Sequence, residues 1–148
     1  MPKHNKKERK RDSRFVKIDH YILKSKAWNE LTPRDVMVWL LLCSRYNGGN
    51  NGRIGLSIRD AAKSGKMSLG AASKSINKLI ELGFIKKTFE GSFTHKKKLA
   101  SEFVLTHVKH GEERASKEFA SWKPEKKTVS KQKQVGIKLD AMSNENVV

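Results

Sequence analysis

The chain has 148 residues, 32 of them Lys or Arg and 15 Asp or Glu, giving a formal charge of +17. That length favours one domain with tails, and a field of that sign attracts polyanions, of which nucleic acid is the expected one. A single cysteine, Cys43, excludes an internal disulfide framework, and the apolar run Val36–Cys43 is too short to span a bilayer, so a soluble cytoplasmic protein is expected.

Residues 1–14 hold seven Lys or Arg and no large apolar residue after Met1. A basic disordered arm is expected there, and the lack of a following apolar stretch argues against a secretory signal. Phe15, Val16, Ile18, Tyr21, Ile22, Leu23, Ala27, Trp28 and Leu31 then form a lead-in able to pack on a core. Thr32-Pro33-Arg34-Asp35 reads as a helix start: Thr32 caps, Pro33 suits the first position and Asp35 returns a bond to the cap. Val36, Trp39, Leu40 and Cys43 follow at three- and four-residue spacing and predict the buried face of that helix. Asn47-Gly48-Gly49-Asn50-Asn51-Gly52 predicts a tight loop. No GKS, GKT or GxGxxG accompanies it, so turn chemistry is preferred over a phosphate cradle.

Ile54–Leu56 predicts a very short strand. Ser57-Ile58-Arg59-Asp60 repeats the capping-box pattern and opens a short helix through Lys63, and Ser64-Gly65-Lys66-Met67 predicts a turn. Ser68 is expected to cap a longer helix over 68–82, with Leu69, Ala72, Ile76, Leu79 and Ile80 on its apolar face. Gly83 stands where a left-handed residue would stop it. Phe84–Phe89 and Leu99–Thr106 predict two strands joined by a basic loop that carries His95. Beyond about residue 124 the chain is polar and Lys-rich, as in disordered tails. The expected organisation is an arm over 1–14, a domain over 15–110, and a mostly disordered basic tail over 111–148 with a short Phe119/Trp122 segment.

Helix, tiny strand, capped helix, turn, second capped helix and hairpin is the order of an α+β winged helix-turn-helix, whose second helix enters the major groove of DNA. The open face of helix 68–82 offers Ser68, Gly70, Ala71, Ser73, Lys74, Asn77 and Lys78. Small residues permit close approach, the lysines suit phosphate or guanine, and Asn77 suits adenine. Lys96, Lys97 and Lys98 repel one another and do nothing for folding, which points to phosphate contact by the hairpin, or wing. Ser57 and Arg59, with Lys66, flank the first helix of the pair as further candidates.

The five histidines, at 4, 20, 95, 107 and 110, are scattered. His107 and His110 lack a third ligand nearby, so neither a metal nor another cofactor is expected. No nucleophile elbow, paired acids or nucleotide loop is present, and Tyr21 and Tyr46 lie in apolar surroundings, which argues against an enzyme.

The stretch Phe15–Thr106 resembles the winged-helix proteins common in bacterial genomes, plasmids and phages, often described as helix-turn-helix or replication-associated proteins. The resemblance rests on Ser25-Lys26-Ala27-Trp28, on Arg45-Tyr46-Asn47-Gly48 with Asn50-Asn51-Gly52, and on Gly83-Phe84-Ile85. Leu99-Ala100-Ser101-Glu102-Phe103 with Leu105-Thr106 and Phe119–Pro124 extend it. It implies a winged-helix fold and double-stranded DNA binding, in transcription regulation or replication control of a bacterial or mobile element. Non-sequence-specific architectural binding of DNA or RNA is the alternative, with the arm and segment 123–138 wrapping the polyanion. A homodimer and a protein partner for the tail, through Phe119 and Trp122, are left open, and that pair could equally lie back on the domain.

Overall fold

The structure, a computed structural model, describes residues 13–94 and 97–125. Lys96, most of the expected arm and the chain beyond 125 lie outside the described residues. The chain order is α1 (His20–Leu23), α2 (Lys26–Asn29), α3 (Pro33–Arg45), β1 (Ile54–Leu56), α4 (Ile58–Ser64) and α5 (Leu69–Glu81). It continues with β2 (Ile85–Phe89), β3 (Phe93–Thr94), β4 (Lys97–Lys98), β5 (Ser101–Leu105) and α6 (Glu118–Ser121).

Each main helix begins on a side-chain cap. Thr32 Oγ1 accepts the Asp35 N–H at 3.4 Å while the Thr32 N–H donates to Asp35 Oδ2 at 2.8 Å, closing the reciprocal box over α3. Ser57 accepts the Asp60 N–H at 3.0 Å and Ser68 the Ala71 N–H at 3.2 Å. Caps of this kind stabilise a helix by about 1 kcal/mol each. Asp60 does not complete a second box, because its carboxylate lies 3.7 Å from the Arg45 guanidinium.

The buried face of α3 consists of Asp35, Val38, Trp39, Leu42 and Cys43. It is rotated from the stripe expected at Val36, Trp39, Leu40 and Cys43, of which Val36 and Leu40 are only half-buried. From Val36 to Cys43 every residue is apolar, so periodicity alone does not select a side. The selection comes from the packing of α5 and from a buried polar residue, Asp35. Burial alone would raise the Asp35 carboxyl; hydrogen bonds from Ser75 and Thr32 and the charge of Lys78 outweigh it and hold the group below the usual carboxylate value.

Strands β1, β5 and β2 form an antiparallel sheet in that order, with Ile54 opposite Phe103 and Ile85 opposite Leu105. Those four side chains and Leu56 are buried and turn one face of the sheet to the helices. β3 and β4 form a separate two-stranded ribbon with Phe93 opposite Lys98 and Thr94 opposite Lys97. The described residues therefore form an α+β unit of six helices and a small three-stranded sheet, compatible with a winged helix.

An aromatic cluster fills the centre. Phe84 stacks on Phe119 with ring centroids 4.9 Å apart and planes within 7°, and Trp39 meets Trp28 edge-on at 5.5 Å. The sequence predicts a domain ending at residue 110, yet Phe119 is 1% exposed. Gly83 makes that return possible. Its φ is +81°, and a Cβ there would lie 2.9 Å from the Phe119 nitrogen and 3.0 Å from the Glu118 carbonyl carbon. Between α4 and α5 the left-handed residue is Lys66, at φ +49°, and not Gly65. Gly65 has an ordinary right-handed φ of −84°, and a Cβ there would approach the Ala61 oxygen to 3.0 Å and displace the flexible end of the Met67 side chain.

Candidate nucleic-acid interface

The position of α5 follows from its own sequence. Ala72, Ser75, Ile76 and Leu79 are buried, which leaves Gly70, Lys74 and Asn77 exposed and Ala71, Ser73 and Lys78 half-covered. Leu69, expected on the apolar face, is 54% exposed. It is the first residue of the helix and lies at the edge of the buried stripe, where no described element covers it.

Two clefts flank α5. On the α3 side, Lys74, Lys78, Ser68, Gly70 and Ala71 share a cleft with Thr32, Arg34 and Asp35. On the sheet side, Ser73 and Asn77 face Ile58, Lys87, Glu90, Gly91 and Ser101. Ile58, Gly91 and Ser101 also border a third cleft, which brings together Ser57, Arg59 and Lys98. The candidate residues thus form one continuous band, from the base of the ribbon across the start of α4 and over α5 to the start of α3. Of the three consecutive lysines, Lys98 lies in this band and Lys97 is placed by the backbone of β4. Lys96 is outside the described residues, and Lys66 sits exposed at the turn before α5.

Charge along the band is one-sided. Three acids border these clefts, and each has a cationic partner. Asp35 lies 3.4 Å from Lys78, Glu90 lies 3.2 Å from Lys87, and Asp60 is close to Arg45. Arg34 and Lys74 form no ion pair among the described residues. A cleft holding two unopposed cations attracts a polyanion. Lys78 has a different setting from the free one expected, because its ammonium is tied to a carboxylate only 5% exposed. Ser57 and Ser68 each accept one backbone N–H as caps, and each keeps its own O–H to donate.

Arg34 is the residue that the sequence pattern did not single out. Its signal was its position in the Thr32–Asp35 helix start, beside a cap and facing away from the apolar stripe. That it meets Lys74 depends on the crossing of α3 and α5, which no local pattern encodes. The conspicuous Asn-Gly cluster proves structural. Asn51 is buried, its Nδ2 donates to the Leu105, Val108 and Lys109 carbonyls, and its Oδ1 accepts the Leu105 N–H.

Cys43 is buried and its thiol is pushed up to about 12 by desolvation, which suits a packing residue. Tyr21 stacks at 6.0 Å on Phe119, on the α6 side. Among the described residues no group of three or more His, Cys, Asp or Glu is placed to hold a metal ion. No described helix is long and apolar enough to cross a membrane. No protein-family model matches the chain, and no curated protein matches it.

Proposed function

We propose that this chain is a winged helix-turn-helix protein that binds double-stranded DNA, with α5 in the major groove and the β3–β4 ribbon as the wing. One observation carries the reading. Past Leu69, the exposed side of α5 is small or polar, and it lies within a band whose acids are all paired while Arg34 and Lys74 are not. Gly70 has open space around its Cα, so the helix can come close to base edges. Lys74 and Arg34 contact phosphates on one side, and Lys98 and Arg59 on the other. Asn77 and Ser73 meet base edges from the groove between helix and sheet. By resemblance, the setting is transcription regulation or replication control of a bacterial or mobile element. The activity is binding, and no reacting group is assigned.

The test is binding of the full chain to a duplex enriched from a random pool and to a random duplex, across a salt series. Replacing Arg34 and Lys74 by Ala lowers affinity for both duplexes and reduces the slope of log K against log salt by about two. Asn77→Ala weakens binding to the enriched duplex by about 1–3 kcal/mol and leaves random DNA nearly unaffected. If Asn77 and Ser73 never matter while the lysines matter on every sequence, the architectural alternative holds instead.

A further inference from the structure

Leu69 is the one exposed large apolar side chain on α5. It belongs neither to the core cluster nor to the side chains packed against it. Capping at this end is done by Ser68, and a polar residue would serve the first helical position equally well. Neither the core nor the cap therefore requires a leucine at this position. Its neighbours in sequence are small: Ser68 before it, and after it Gly70, around which the structure is open. Leu69 is therefore flanked in sequence by small residues, and about half of it is exposed.

We propose, resting on the reading of α5 as the groove-entering helix, that Leu69 reads a thymine through its 5-methyl group. The first residues of such a helix are those that reach base edges. A leucine has no donor or acceptor, so it cannot distinguish the polar edges of guanine, cytosine or adenine. Thymine alone presents an apolar group in the major groove. Leu69 stands one helical turn before Ser73, which lines the cleft on the sheet side with Asn77. A duplex whose base edges meet Ser73 and Asn77 therefore reaches Leu69 as well.

The experiment enriches duplexes from a random pool with the full chain, then replaces each thymine of the enriched duplex singly by deoxyuridine. One replacement should weaken binding about fourfold, the weight of one buried methyl group. Leu69→Ala and Leu69→Gln should bind the thymine duplex several-fold less tightly and show no difference between thymine and uracil at that position. Their melting temperatures should match that of the parent chain, since the side chain is exposed. If no replacement matters, or if Leu69→Ala keeps the uracil penalty, the inference falls while DNA binding stands. If no duplex is enriched and random duplexes do not bind either, the DNA reading itself has failed and the inference falls with it.

Discussion

Asn51 joins the loop after α3 to the end of β5, and its replacement has a calculable effect. The side chain donates to the carbonyls of Leu105 at 3.0 Å, Lys109 at 3.1 Å and Val108 at 3.2 Å, and accepts the Leu105 N–H at 2.7 Å. Asn51→Ala leaves the buried Leu105 N–H unpaired, at about 1–3 kcal/mol. The Leu105 carbonyl also loses its better partner, while the Val108 and Lys109 carbonyls regain water. The total is about 2–4 kcal/mol. In a domain of this size each kcal/mol moves the melting temperature by roughly 4–8 °C, so a fall of at least about 8 °C is expected. Asn51→Asp should fall further, because it removes both donors and sets a charge against three carbonyl oxygens. Thermal denaturation followed by circular dichroism measures both variants. An Asp variant that melts with the parent chain, or above the Ala variant, would refute the hydrogen-bond argument.

Other substitutions probe the remaining supports. Lys78→Gln should lower the urea midpoint by an amount equivalent to about 1–2 kcal/mol, because the buried Asp35 loses its cation and keeps its hydrogen bonds; Asp35→Asn in the same chain should recover part of that loss. Phe119→Ala removes a side chain stacked at 4.9 Å on Phe84 and should cost about 3–4 kcal/mol in chemical denaturation. Burial pushes the His107 imidazole from 6.5 down to about 4, so the unfolded chain binds the proton first as acid is added. Stability is therefore full above pH 6.5 and falls between 6.5 and about 4, and His107→Gln should flatten that part of a melting-temperature profile. Asp35, held low, adds its own loss only below its ordinary value of 3.8.

Local chemistry carried much of the element order into the sequence. Caps at Thr32, Ser57 and Ser68, the stop at Gly83 and the strands around Ile54, Ile85 and Phe103 are marked by residues with one strong conformational use. What remained illegible depends on neighbours distant in the chain. The face of α3 was ambiguous because all its central residues are apolar. Asp35 looked like a simple cap partner, yet it is also buried against α5 and claims Lys78. Leu69 matched the apolar spacing and still lies outside the core, because spacing does not reveal where a neighbouring element ends. Phe119 is ambiguous in the sequence between a partner contact and a return onto the domain, since nothing local tells that Gly83 leaves room for the returning backbone. Within the candidate site, the open face of α5 was legible from small and cationic residues, whereas the meeting of Arg34 with Lys74 required the helix crossing.

The most direct test maps where a duplex touches the chain. Backbone amide shifts of the full protein, followed by NMR during titration with an enriched duplex, should move at residues 68–78, at 57–60 and at 98–101. Those of Lys109–Gly111 and Glu118–Ser121 should stay in place. Shifts concentrated around α6, with α5 unperturbed, would contradict the assignment of the interface.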